Sequence, residues 1–487
     1  PQNPVPSPNP NTLIITWGPN GPQDPFNWPL HKKWWTTGLG LTASFICSMN
    51  GTILTVAHKA ISDEFHIPDT TFPNTYWLIT SWGVGAALCP LFLFPIMEDF
   101  GIRPVLLSTY FLFTCLLIPI GLAQNFTTLL IVRFFSGGCV PLISDAVASI
   151  ISNVFHGDRA RSTPISLYVT IYLASTSIGP VIGSSILQFL SWRWIAYLEL
   201  IWTAALFPIL LIALPETRGS AILLAKAKQL RREGKNAYTI AELNHPPTQS
   251  FPQTITQSIQ RPLYMLFTEP VVFIATLWAA FSLGTIYLFT QSVEQVYSTL
   301  YNWSIIQTGY IQIAIVIGEL LGCALSIVIT SHFSTSTSSS TPQPTPETAL
   351  YPSLIGSLFT TTGMFLYGLT SSPSIHFLAP TIGLCMVGLG TTGVIIGNAK
   401  YLIDAYSNYA ASALGAVGLV ENISIAFLPL AEKAMYDGLG FRWASLVLGF
   451  VALGLVGTPV VVWRWGGRIR ERSPFMKVAG VERGVVV

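Results

Sequence analysis

Of 487 residues only 9% are charged, 24 Lys+Arg against 22 Asp+Glu, while 51% are hydrophobic. Soluble globular domains carry roughly 25% charge; so few charges cannot cover a water-soluble protein of this size, and the apolar content excludes a disordered chain, a collagen or a small disulfide scaffold. A net charge of +2 gives no footing for nucleic acid and leaves a polytopic membrane protein, each spanning helix taking about 20 apolar residues.

In chain order, residues 1–30 form a polar, Pro/Asn-rich tail without a cleavable signal peptide. The first apolar span is therefore expected to act as an uncleaved start. Apolar runs of spanning length follow at 34–57, 74–97, 104–123, 127–151, 163–187 and 193–214. A polar stretch, 215–266, interrupts them, and six more runs lie at 268–291, 305–330, 351–370, 376–399, 408–433 and 441–463. Six spans, a loop and six spans is the hydropathy pattern of a transporter built from two repeated halves. The expected fold is all-α, twelve transmembrane helices in two six-helix bundles. The segments are a tail (1–30), a bundle (31–214), a central loop (215–266), a second bundle (267–465) and a tail (466–487).

Placing both termini in the cytosol puts 19 Lys and Arg on the inside and leaves Lys59, Arg193, Lys433 and Arg442 outside. The positive-inside rule then predicts both tails and the central loop to be cytosolic. Within that loop, LLAKAKQLRREGK reads as a helix, either lying on an anionic inner leaflet or serving as a solvated linker. Residues 332–348, rich in Ser, Thr and Pro, read as a flexible linker.

Cys47, Cys89, Cys115, Cys139, Cys323 and Cys385 all fall in apolar stretches without metal-ligand or CxxC spacing, and read as buried small hydrophobes. Sequons occur at Asn50, Asn125, Asn302 and Asn422; Asn302, in an outer loop, is the best glycosylation candidate. No P-loop, GxSxG or HExxH is present, so neither ATP-driven pumping nor a hydrolase is read here, and no cofactor or metal is expected.

The informative residues are ionisable groups at membrane depth, each costing about 3 kcal/mol or more at a span centre. Arg133 lies in the outer part of the fourth span, Asp145 deeper in the same span, and Glu199 in the outer part of the sixth. Glu319 and Glu421 fall near the middle of the eighth and eleventh. A desolvated carboxyl binds and releases a proton in the physiological range, so Asp145, Glu319 and Glu421 are candidates for proton or cation binding; the alternative is a structural carboxyl bonded to a neighbouring helix. Arg133 could instead pair with a carboxylate on an adjacent span. Trp82, Tyr168, Tyr172, Phe281, Tyr287 and Phe289 are candidate cavity aromatics for flat or cationic compounds. Small-xxx-small spacing at Gly179-Pro180-Val-Ile-Gly183, Gly318/Gly322 and Gly393/Gly397 predicts close helix packing.

These motifs resemble the major facilitator superfamily, and more narrowly the twelve-span fungal drug:proton antiporters that include multidrug and polyamine exporters. The resemblance runs from Asp24-Pro25-Phe26-Asn27-Trp28-Pro29 to Arg468-Ile-Arg470-Glu-Arg472-Ser473. Arg133-Phe-Phe-Ser-Gly137-Gly138 is similar to the fourth-span arginine motif, and Gly179-Pro180-x-x-Gly183 to the motif associated with export. Trp192-Arg193-Trp194 and Leu214-Pro215-Glu216-Thr217 bound the sixth span as in relatives, and Tyr401-Leu-Ile-Asp404-Ala-Tyr406 with Tyr409-Ala-Ala-Ser412-Ala413 resembles the tenth-to-eleventh connection. The gating motif between spans two and three is eroded: Phe94 replaces its first Gly, while Glu98, Asp99, Gly101 and Arg103 remain. Asp145 and Glu421 depart from the family's usual residues.

The resemblance implies a secondary transporter, not an enzyme, that exports a small organic molecule such as a drug, toxin, secondary metabolite or polyamine in exchange for protons. A nutrient importer on the same fold and a non-transporting sensor are the alternatives. Its partners would be substrate, protons and the lipid bilayer, with no nucleic acid. A monomer in the plasma membrane is expected, with the vacuolar membrane as the other candidate.

Overall fold

The computed structural model describes residues 13–17, 21–69, 73–244, 251–336 and 346–477. The first half holds α1 (Leu30–Ile53), short α2 (His58–Phe65), α3 (Trp77–Phe100), α4 (Ile102–Gly121), α5 (Phe126–Val154), α6 (Asp158–Leu187) and α7 (Arg193–Ala213). The second holds α11 (Pro270–Tyr301), short α12 (Ile305–Ile311), α13 (Ile313–Ser336), α14 (Tyr351–Thr370), α15 (Leu378–Tyr406) and α16 (Ala410–Arg470). Between them lie α8 (Gly219–Arg232), α9 (Ile240–Asn244) and α10 (Phe251–Thr268).

Eleven helical stretches are long and apolar enough to cross a bilayer. The last of them, 61 residues long, is two spans joined where Gly440 takes φ 77°, ψ 159°, which makes twelve. A φ in that range suits Gly because it has no Cβ to clash. Gly101, at φ 93°, separates α3 from α4 in the same way. Local chemistry fixes other ends. Asn125 accepts the Thr128 amide at 2.8 Å to cap α5, and Ser304 and Gln307 form a capping box on α12.

Each half buries its own apolar core. The first cluster is built almost wholly from α1 to α7. The second half carries two clusters, one around Met265, Tyr401 and Tyr406 and one around Trp278, Phe289 and Tyr367. Small residues let backbones meet inside each bundle. A Cβ on Gly137 would overlap the Trp82 carbonyl, and one on Gly318 the Cys385 carbonyl. Without a hydrophobic drive between helices in lipid, such close packing is a main source of cohesion.

The described parts of both tails lie at one end, together with the described part of the polar stretch after α7. There β1 (Leu13–Ile15) pairs in parallel with β2 (Ala237–Thr239). Ser473, beyond α16, donates to the Glu269 carboxylate at the start of α11 at 2.9 Å. The apolar stripe of α8, Leu223, Ala227 and Leu230, packs on Ile15 and Ala237. The basic helix read as a leaflet-bound or solvated segment therefore has its apolar side covered by the chain itself. The N-terminal strand had no signal in a Pro/Asn-rich tail, because its partner lies more than 200 residues away.

Candidate functional site

The two bundles meet most closely at the end remote from the tails. Thr80 of α3 donates to the Ala426 carbonyl of α16 at 2.7 Å, and a Cβ on Gly83 would lie 2.9 Å from the Ala426 backbone. On the other flank Gly309 of α12 sits against Ser184 and Pro180 of α6, and Ser185 donates to the Tyr310 hydroxyl at 3.3 Å. One ion pair joins the bundles there among the described residues, His58 Nε2 to Glu294 Oε1 at 3.5 Å.

Just inside this closed end, the first bundle carries a buried polar knot. Arg133, fully buried on α5, donates to the Asn50 carbonyl at 2.6 Å, to Asn50 Oδ1 at 2.8 Å and to the Gly51 carbonyl at 3.0 Å. Asn50 Nδ2 donates to Glu199 at 2.9 Å, and Trp82 Nε1 donates to Asn50 Oδ1 at 3.1 Å. Sequence reading left open an ion pair for Arg133. The structure instead places Asn50 between the guanidinium and the Glu199 carboxylate, so the charges are linked through one amide. In the sequence Asn50 stands out only as part of a sequon. Helical spacing offered no sign of its role, since its partners lie on three other spans.

Tyr287 of the second bundle reaches this knot. Its ring lies 6.0 Å from the Trp82 ring, and a Cβ on Gly51 would lie 2.8 Å from its hydroxyl. That hydroxyl neighbours Thr176 but meets hydrogen-bond geometry with no described residue. One residue on, Ser177 donates to Glu319 Oε1 at 2.8 Å, from α6 of one bundle to α13 of the other. Glu319 is fully buried, and its Oε2 has no partner among the described residues.

Gly179, Pro180 and Gly183 lie on the same helix as Ser177. A Cβ on Gly179 would overlap Thr52 Oγ1 and one on Gly183 the Ile53 carbonyl, so α6 packs backbone to backbone on the end of α1. Thr52 also donates to the Thr176 carbonyl at 2.6 Å. The glycine pair thus fixes the position of Ser177, and with it the contact to Glu319.

Toward the tails, Asp145 on α5 and Glu421 on α16 are each partly exposed and interact electrostatically. Tyr168 and Tyr172 of α6, also partly exposed, sense both carboxylates. These four come from both bundles and form an acidic, aromatic cluster. Not all of the proposed aromatics belong to it. Phe289 is 1% exposed and packs on Tyr367 at 5.4 Å, and Phe281 stacks on Trp278 at 5.7 Å, both within the second bundle.

At the tail end, the gating motif is completed by a residue that sequence reading placed only as a span boundary. Glu216 accepts the amides of Ile102 at 3.3 Å and Arg103 at 3.0 Å, which are the first amides of α4. A carboxylate at a helix N-terminus satisfies unpaired amides and complements the dipole. Arg103 in turn donates to the Leu211 carbonyl at 2.9 Å. The side chains of Glu98 and Asp99 lie outside the described residues. Lys400, one of the 19 cations placed on the inside, is 6% exposed and donates to Thr330 at 3.3 Å, because α15 runs on to Tyr406.

A sequence profile of the Major Facilitator Superfamily matches residues 40–429. The chain belongs to the major facilitator superfamily. Among curated relatives, the MFS transporter cpaT of Aspergillus oryzae is 33% identical over 476 residues, 96% of this chain and 93% of its own. The efflux pump atB of Aspergillus terreus is 30% identical over 411 residues, 82% of this chain and 85% of its own. Among solved structures, the human organic anion transporter MFSD10 (TETRAN) gives a TM-score of 0.60 at 15% identity, covering 89% of this chain and 100% of that one; this likeness concerns the fold alone. The major facilitator described here is a multi-pass integral membrane transporter.

Proposed function

We propose that this chain exports a small organic compound in exchange for protons, by alternating access between its two bundles. The tails face the cytosol, the cluster with Asp145 and Glu421 receives substrate from that side, and the closed end faces outward. The 19-to-4 distribution of Lys and Arg supports this orientation, with the plasma membrane as the membrane concerned and a monomer as the working unit. The atB relative is itself named an efflux pump. The chemistry is transport alone, with no bond made or broken in the substrate.

The observation that carries proton coupling is the Ser177–Glu319 contact across the bundle interface. An ionised carboxylate held dry beside one hydroxyl, without a cation, costs several kcal/mol. The interface therefore closes over Glu319 with its proton on, and releasing the proton favours parting α6 from α13. Full burial favours Glu319 as the coupling group, while partial exposure suits Asp145 and Glu421 to meeting substrate.

The test measures efflux driven by a pH gradient, with substrate found by screening in a transporter-deficient host. Glu319→Gln keeps shape but cannot titrate. Net efflux should fall about tenfold or more and lose its pH dependence, while substrate exchange persists. Asp145→Asn and Glu421→Gln should keep the pH profile and alter which compounds move. A Glu319→Gln protein with wild-type rate and pH profile overturns the assignment.

A further inference from the structure

The closed outer end is joined by neutral contacts and one charged one. Thr80–Ala426, Ser185–Tyr310 and the Gly309 packing do not change with pH. His58–Glu294 does. His58 opens α2 and follows directly on the first span, while Glu294 sits on α11, so the pair must break whenever the bundles part at this end. Side chains here are 31% and 19% exposed, so the pair is within reach of outer solvent.

A small cavity lies just beneath it, lined by His58, Thr55, Tyr76, Arg133 and Gln291. Gln291 is 3% exposed, and neither its Oε1 nor its Nε2 finds a partner among the described residues. A buried amide left unsatisfied is rare and needs a reason. A wall residue that becomes hydrated when the end opens supplies one: its amide is spent in the open state, not the closed one.

We propose that His58 and Glu294 form the outer latch of the transport cycle, closed by their opposite charges and released as the outer solution turns alkaline, with Gln291 lining the vestibule it guards. The inference rests on the alternating-access reading. The other charges around the pair are compatible with it. Asp69 faces His58 but is committed to the Thr75 amide at 2.9 Å, Lys59 is its repelling neighbour, and the Tyr76 ring meets it edge-on at 6.0 Å. On the far side Glu432 is 1% exposed with both oxygens unpartnered among the described residues, and so dry a carboxyl holds its proton and adds no charge beside the pair. The latch therefore depends on the charge of His58. An imidazole keeps its charge on the acidic side and gives it up as the solution turns alkaline. Once the imidazole is neutral, the attraction to Glu294 falls and the latch loosens.

The experiment reads conformation and needs neither substrate nor proton gradient, so it stands or fails separately from the coupling reading. Gln291→Cys is placed in full-length protein whose six native cysteines are serine, and a membrane-impermeant thiol reagent is applied from the outer side. His58→Lys keeps the charge at all pH values tested; His58→Gln removes it. The same thiol is read in each, so the pH dependence of its own reactivity cancels in the ratios. His58→Gln should label about fivefold faster than His58→Lys at pH 6, as expected for losing an ion pair of this exposure. The His58 protein should follow His58→Lys at pH 5.5 and approach His58→Gln at pH 8. Should His58→Gln fold poorly, Glu294→Gln reports the same latch from the other bundle. Equal labelling rates in all variants at both pH values overturn the proposal.

Discussion

Replacing Asn50 by Ala removes three side-chain hydrogen bonds at once. Lost are the bond from Arg133 at 2.8 Å, the bond from Trp82 at 3.1 Å and the donation to Glu199 at 2.9 Å. Arg133 keeps its bonds to the Asn50 and Gly51 carbonyls, so the guanidinium is not stranded. Glu199 is 1% exposed, its Oε1 is already unpartnered among the described residues, and among those residues it would lose the only side-chain donor to Oε2. Hydrogen bonds to charged groups contribute about 1.5–3 kcal/mol each, and leaving a buried charge without its partner costs about 3–5 kcal/mol. Asn50→Ala should therefore destabilise the first bundle by about 4 kcal/mol, lowering the melting temperature in detergent by roughly 10 °C. Thermal unfolding monitored by size-exclusion chromatography measures it. Adding Glu199→Gln removes the charge that Asn50 was holding, so the double variant should regain about half of the loss. A single variant within about 0.5 kcal/mol of wild type, or a double variant that falls further, would refute the linking role of Asn50.

Gly183→Leu must push α6 off the Ile53 carbonyl, a strain of about 1–3 kcal/mol; it should reduce transport at least fivefold at near-normal expression, and a fully active variant would show that the close approach is dispensable. Ile15→Asp puts a charge into the contact with Ala227 and Ala237, so trypsin should cut at Lys226 to Lys235 faster than in wild type, with an unchanged cutting rate counting against the strand clamp. In the same clamp, burial pushes the Glu242 carboxyl up, but hydrogen bonds from Arg231 and Thr239 outweigh this and hold it below its ordinary value. A depressed carboxyl stabilises above its unfolded value and loses that contribution as pH falls through its folded one. Amide exchange in β2 should therefore speed up as pH is lowered below about 4, once intrinsic rates are corrected, and Glu242→Gln should abolish that increment.

The sequence by itself determined the membrane class, the six-and-six division and the end at which the tails meet. Each follows from quantities local to a stretch of chain: apolar length against bilayer thickness, and the count of Lys and Arg in each connection. It also marked Arg133, Glu319, Asp145 and Glu421 as residues needing an explanation, because a charge in hydrocarbon is costly wherever its helix sits. Tertiary structure alone decided who answers whom. Hydropathy is nearly the same on all faces of a span in a twelve-helix protein, so periodicity could not say that Phe289 packs inside its own bundle while Tyr287, two residues earlier, reaches across to Trp82. Nor could it say that an asparagine in a sequon links Arg133 to Glu199, that Glu216 caps α4 more than a hundred residues before it, or that the N-terminal strand finds β2. These contacts join groups far apart in sequence, and their energies depend on distances of a few ångströms that only the packing of the two bundles sets.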